Sequence, residues 1–391
     1  MALALALAAG ASVAGATAPQ RTNARPLAVA ERHLALTARA LPPGAYPGRT
    51  PRARGQWVTT SAESWTSGFF PASLWLMAEL TGERSWRAPA TRAQRGLAGQ
   101  ASNTATHDVG FILHTPYARA YRLTRRAAYR RVLLRGARSL ASRFDPEVGA
   151  TRSWGREHER PFKVIVDNLM NLELLLWAAR HGGSPQLRQI AVQHGLTTLR
   201  DHVRPDGSTF HLVEYDPDTG AVLRRGTRQG VADGSTWSRG QAWAVHGFAT
   251  LYRETGDRRF LIGARRTADH WRARLPGGGV PPWDFDAPRP APPDSSAGAV
   301  AASGLLGLAR VEPDPERSQR YRRVAERTLR ALSSRAYLDV EGESDSILLH
   351  GTPDGARGRF DQGLVYGDYY FLEALLRLRK VSAREPRRAS N

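Results

Sequence analysis

Asp167 stands at the entrance of a strongly apolar stretch, VIVDNLMNLELLLWAAR (164–180). A carboxyl placed there either caps a helix or does chemistry. As a cap it would accept backbone N–H bonds and sit in a favourable helix dipole, which holds its pKa low. As a general acid it needs a raised pKa, and burial among Val164, Ile165, Val166, Leu169 and Met170 can raise it by desolvation. Asp108, in HDVGF (107–111), is a second carboxyl ahead of an apolar run, with a turn or cap as its plain alternative. Two carboxyls brought to one place can divide acid and base roles, as glycosidases do.

Other segments that precede apolar runs carry Trp65, Trp237, Arg239, Trp283, Asp294 and Asp368. Aromatic faces beside fixed polar groups are what a sugar site needs. His211 lies in PDGSTFHLVEYDPDTG, a hairpin-like piece with turn signals at Asp206–Gly207 and Asp218–Gly220. A lone His is more often structural than functional. The chain has no Cys, which excludes disulfides, thiolate metal sites and a Cys nucleophile. HExxH, paired His at helical spacing and DxDxDG loops are missing, so no metal is expected. There is no GxSxG elbow and no phosphate-cradling Gly loop, so no cofactor is expected either.

The elements that position these residues follow from a weak internal repeat. TGERSW (81–86), TRRAAY (124–129) and TGDRRF (255–260) share a pattern, and GGSPQL and EPDPERSQRY are looser versions. Each is preceded by an apolar segment and followed by an amphipathic Arg/Ala/Leu segment, the signature of helical hairpins with a buried and an outer member. The spacing predicts inner helices over 71–80, 115–124, 168–180, 240–253, 297–310 and 368–380. Five outer partners follow, and 26–41 supplies the sixth. Six inner and six outer helices close into an all-α (α/α)6 barrel, with an open solenoid as the alternative. The segments before the inner helices then share one face of the barrel.

Formal net charge is +20, and all but two of the 56 basic residues (Lys163 and Lys380) are Arg, scattered along the chain. Scattered in this way, the charge reads mostly as a solvated basic surface rather than a nucleic-acid site, and its field can also attract polyanions, acidic sugars included. The start, MALALALAAGASVAGATAPQ, resembles a secretory signal peptide without its basic n-region, so export is expected. The expected organisation is a leader at 1–24, one catalytic domain at 25–382 and a basic tail at 383–391. No membrane span is expected, and the chain is expected to be a monomer or weak dimer.

Five motifs in order, HDVGF, IVDNLMNLELLLWAA (165–179), STWSRGQAWAVHGFA (235–249), DSSAGAVAASGLL (294–306) and VYGDYYFLEALLRL (365–378), resemble the unsaturated glucuronyl hydrolases of glycoside hydrolase family 88. The resemblance runs from about residue 57 to 380. The unsaturated rhamnogalacturonyl hydrolases match less well, and a sugar epimerase would need paired inner-ring His where the inner helices offer His246. A non-enzymatic binder of acidic glycans is the remaining rival. The resemblance implies an (α/α)6 barrel that removes a Δ4,5-unsaturated uronic acid from the non-reducing end of lyase-generated acidic oligosaccharides. The implied chemistry is hydration of a vinyl ether: an acid protonates C4 and water adds at C5.

Carried over by position, the resemblance makes Asp167 the general acid/base and Asp108 the second carboxylate. It makes His211 a substrate-binding residue and puts Gln229 near C4–C5 and the water. Arg239 and Trp243 fall around the uronate, and Trp237, Trp65 and Trp154 form aromatic walls. Some members read sulfate with Ser or Lys in the C-terminal loop; here HGTPDGARGRFDQGLVYGDYY has neither.

Overall fold

The computed structural model describes residues 18–156 and 158–382. Its α-helices in chain order are α1 (Ala18–Ala40), α2 (Phe69–Thr81), α3 (Arg87–Arg95), α4 (Arg119–Thr124), α5 (Ala127–Ala141), α6 (Asn168–Arg180), α7 (Gln186–Asp201), α8 (Ser238–Thr255), α9 (Arg258–Arg274), α10 (Ser295–Val311), α11 (Pro315–Leu332) and α12 (Val365–Ser382). A π-helical segment, Gly110–Ala118, runs straight into α4, and the two form one inner rod.

The inner members α2, the π/α4 rod, α6, α8, α10 and α12 pack each on the next, and α12 returns to α2. That last contact closes the ring and excludes the open solenoid. Burial follows the sequence pattern. In α8 every residue from Ser238 to Leu251 is buried, whereas α11 buries Tyr321, Val324, Ala325, Thr328, Leu329 and Leu332 at three- and four-residue spacing. Small side chains let the inner rods approach closely. A Cβ on Gly304 of α10 would stand 2.8 Å from the Cα of His246 in α8. One hydrophobic cluster runs from Val29 in α1 to Leu376 in α12.

Helix α6 has the bounds the spacing predicts, and the others extend them by one to three residues, with two exceptions. The outer helix expected at 26–41 spans 18–40. The rod expected at 115–124 starts at Gly110, because its first turns are π-helical and widen the pitch. The barrel also carries three small antiparallel sheets: β1 (Tyr46–Arg49) with β2 (Val58–Thr60), β3 (Phe144–Asp145) with β4 (Ala150–Thr151), and β5 (Phe162–Ile165) with β6 (Leu212–Tyr215) and β7 (Val222–Gly226). The three-stranded sheet has its own apolar underside, formed by Val148, Ala150, Phe162, Val164, Val213 and Tyr215. Among the described residues no helix is long and apolar enough to cross a membrane. The leader expected at 1–24 lies mostly outside the described residues, and the tail at 383–391 wholly so.

Candidate active site

The sheet register explains how residues far apart in the chain meet. Strand β5 pairs with β6 so that Ile165 lies opposite Leu212. The ladder runs one step further, and the Val166 N–H donates to the His211 carbonyl at 2.9 Å. The next residue on one strand is Asp167, so His211 is delivered to its side. The His211 Nε2 lies 3.6 Å from Asp167 Oδ2.

Asp167 occupies the N-cap position of α6, but its side chain does not cap the helix. Its backbone is already helical, with φ −58° and ψ −27°, and the side chain makes no cap hydrogen bond to α6. Burial instead raises its pKa to about 7; Arg239 pulls the value back and Asp108 pushes it up again. This is the desolvation that the flanking apolar residues lead one to expect. Three buried polar atoms here have no hydrogen-bond partner: Asp167 Oδ2, His211 Nε2 and the indole Nε1 of Trp243. They adjoin one another: the His211 Nε2 lies 3.6 Å from the carboxyl and the Trp243 indole N–H is among the groups that lower its pKa, so the two donors flank Asp167 and orient it.

The tautomer of His211 is set by its backbone neighbour. The Arg228 N–H donates to His211 Nδ1 at 3.2 Å, so Nδ1 is the acceptor and the proton sits on Nε2. Burial pushes the ring pKa down to about 3, so it stays neutral. Asp167 therefore faces an uncharged N–H donor.

Asp108 has a parallel arrangement. Its Oδ2 accepts from Thr106 Oγ1 at 2.9 Å, and its Oδ1 lies 3.4 Å from His107 Nε2. The Asn171 Oδ1 accepts the Phe111 N–H at 2.8 Å, which fixes which end of that amide is the donor. Its Nδ2 then donates to His107 Nδ1 at 3.3 Å, leaving His107 with its proton on Nε2, toward Asp108. Asn171 can reach both groups because Gly110 lies against α6: a Cβ there would stand 2.5 Å from the Asn171 Cα.

Both acids line one cleft of about 440 Å³, open at the N-terminal ends of the inner helices. Trp65, Trp154, Gln229, Trp237 and Arg239 line it too. His211 and Trp243 do not. They stand behind Asp167, with Trp243 in an aromatic layer 5.4 Å from Phe111 and 5.3 Å from Tyr370. Trp65 packs on Tyr366 at 4.7 Å, and Trp237 lies 4.5 Å from the His211 ring. Gln229 donates from Nε2 to the Pro353 carbonyl at 2.9 Å.

Arg239 borders the cleft, but its guanidinium is already engaged. Nη1 donates to Asp294 Oδ2 at 2.7 Å and to the Thr352 carbonyl at 2.6 Å, and Nη2 to the Pro353 carbonyl at 2.8 Å. It lies over the Trp237 ring at 4.6 Å. The remaining acids and Trp of the inner-helix approaches are structural. Asp294 caps α10 through the Ser296 and Ala297 N–H groups. Asp368 accepts from the Ile347 and Leu348 N–H groups and from Ser346 Oγ. Trp283 is buried against Phe360.

Sequence reasoning missed Tyr366, His107, Asn171 and the β1–β2 ribbon, whose Arg49 and Thr60 form one wall. The first three sit inside quoted motifs and carried a usable signal. The ribbon did not, because it is short and half exposed. Among the described residues no group of His, Asp and Glu could hold a metal ion.

A closed helical ring with two carboxyls at one mouth can divide the acid and base roles of a glycosidase. The chain belongs to Glycosyl Hydrolase Family 88, whose model matches residues 48–266, and it is a glycoside hydrolase. That span includes every site residue named above from Trp65 to Trp243. The chain is 38% identical over 336 residues to the unsaturated glucuronyl hydrolase of Bacillus sp. (strain GL1), covering 83% of this chain and 89% of the relative. It is 33% identical over 328 residues to the unsaturated chondroitin disaccharide hydrolase of Streptococcus agalactiae serotype III (strain NEM316), covering 81% of each. Among solved structures, an unsaturated glucuronyl hydrolase specific for heparin superposes with a TM-score of 0.88 at 37% identity, covering 93% of this chain and 98% of that one.

Proposed function

We propose that this glycoside hydrolase releases a Δ4,5-unsaturated uronic acid from the non-reducing end of a glycosaminoglycan-type oligosaccharide, with Asp167 as general acid/base. The observation that carries this reading is that Asp167 and Asp108 line one cleft, with the Asp167 carboxyl raised to about 7 and flanked by the N–H donors of His211 and Trp243. Protonating an alkene carbon is slow, so a neutral acid must be held in contact with it. A carboxyl raised to about 7 is protonated in a large fraction of molecules at neutral pH.

In this mechanism the Asp167 proton goes to C4 and the C4–C5 π pair forms the new C–H bond. Positive charge develops on C5 and the ring oxygen, stabilised by the carboxylate just formed and by Asp108. Water adds at C5 and returns a proton to Asp167. The hemiketal opens by cleavage of the C5–ring-oxygen bond, and the resulting hemiacetal at C1 expels the aglycone. The Nε2–H of His211 and the indole N–H of Trp243 hold the Asp167 carboxyl. The N-terminal ends of the inner helices, reinforced by Arg239, provide the positive field for the uronate. Trp65, Trp154 and Trp237 wall the ring, and Gln229 approaches C4–C5 and the water.

The test is the ultraviolet absorbance of the unsaturated bond. With an unsaturated chondroitin or hyaluronan disaccharide it should fall, and Asp167→Asn should abolish the fall while leaving the fold intact. A steady trace with the intact chain refutes the reading, as does turnover by the variant. Export from the cell belongs to the same proposal, supported by the leader-like start.

A further inference from the structure

The barrel has a second mouth. The C-terminal halves of the inner helices surround a pocket of about 560 Å³, larger than the acid-bearing cleft. Phe111 contributes to both, so the two hollows share the aromatic layer that fills the middle of the ring.

The charge in this second mouth is unbalanced. In and around it six cations share four carboxylates, of which Glu173 and Glu373 line the pocket itself. Glu79 contacts Arg119, Arg122 and Lys380; Glu373 contacts Arg119 and Arg377; Glu254 contacts Arg180 and Arg253; Glu173 contacts Arg253. Arg125 adds a further positive charge at the rim, over the Tyr121 ring at 5.6 Å. Burial holds Lys380 below its ordinary pKa; Glu79 pulls it back up, and Arg122 and Arg119 depress it further.

Cations at helix C-termini often serve only to neutralise carbonyl dipoles. Here that task falls to other residues. Arg379 donates to the Leu80 carbonyl in the last turn of α2, and Arg130 to the His181 carbonyl at the end of α6. Among the described residues, the side chains of Arg122, Arg125 and Lys380 donate to no helix-end carbonyl. The wall also holds a buried donor without a partner, Arg119 Nε. Beside these charges lies an aromatic platform. Trp177 stacks on His181 at 3.9 Å, and Tyr121 meets its edge at 5.6 Å. Aromatic surface next to surplus guanidinium groups suits a sugar ring bearing an anionic group.

We propose that this second mouth binds an acidic saccharide, with its carboxylate or sulfate among Arg119, Arg122 and Lys380 and a ring against Tyr121 and Trp177. The site is separate from the acid-bearing cleft and would hold a glycan chain without cleaving it.

Equilibrium dialysis with a saturated uronate-containing disaccharide tests this. The variant Arg122→Gln/Arg125→Asn/Lys380→Gln changes only exposed rim positions, and Asn tolerates the positive φ of residue 125. It should bind about one equivalent fewer than the intact chain, with kcat and KM on an unsaturated disaccharide unchanged. Arg122→Glu alone should weaken the same equivalent at least tenfold. Equal stoichiometry in intact and variant chains overturns the proposal. So does an equivalent that inorganic sulfate fills and the disaccharide does not, which would mark a small-anion site. Turnover is measured separately, so loss of the cleft's proposed chemistry would leave this result readable.

Discussion

At the scale of single residues, each carboxyl of the cleft faces a neutral imidazole whose proton is fixed on Nε2 by a donor behind the ring. For His211 that donor is the Arg228 backbone N–H, and for His107 it is the Asn171 amide. A neutral N–H orients a carboxyl without contributing a full charge that would hold it ionised, so Asp167 can keep its raised pKa. The rate should therefore be high below about 7 and fall as pH rises through that value, with no break from His211, whose pKa is about 3. A pH profile of kcat/KM checks this. His211→Leu removes the N–H and should lower kcat by about 10²-fold. Stability follows the same proton. Because the Asp167 pKa is raised on folding, its contribution is fully present below the unfolded value near 4 and is lost as pH rises through about 7. Asp167→Asn should thus gain roughly 4 kcal/mol over the parent at pH 8 and almost nothing at pH 4, from a rise of about three units at about 1.4 kcal/mol per unit. Urea unfolding at the two pH values measures the difference.

At the scale of elements, the acids are placed by devices that are not helices of ordinary pitch. The ladder of β5 and β6 puts His211 beside Asp167, and the π-helical start of the rod after Asp108 is held against α6 by Gly110. Gly110→Ala puts a methyl into the Asn171 backbone. It should cost about 1–3 kcal/mol and reduce kcat together, because Asn171, His107 and Asp108 are displaced as a unit. Thermal unfolding and turnover on one preparation test that coupling. Both devices were only partly legible in the sequence. PDGSTFHLVEYDPDTG shows its turns, but nothing in it names KVI as the partner strand. HDVGF shows a glycine before an apolar run, but a π turn has no periodicity of its own to read.

At the scale of the whole molecule, ring closure makes the cleft. Contact between α12 and α2 brings residues 65 and 366 together, and their rings lie 4.7 Å apart across three hundred positions of chain. The net charge of +20 acts at the same scale. If the substrate is an acidic oligosaccharide, kcat/KM should fall several-fold as ionic strength rises from about 0.05 to 0.5 M, with kcat little changed, because screening weakens long-range attraction. Steady-state kinetics across a salt series would show it, and a salt-independent kcat/KM would contradict a role for the surface charge.

Local pattern alone determined the helical class, the alternation of buried and outer helices, the bounds of α6 and the placing of Asp108 and Asp167 ahead of inner helices, since each depends on residues a few positions apart. Whether Asp167 caps a helix, which imidazole proton it meets, and that Asp294 and Arg239 hold each other depended on partners dozens of residues distant. Those outcomes belong to burial and to the pairing of remote groups, and a pKa or a tautomer exists only once the surrounding dielectric and donors are in place.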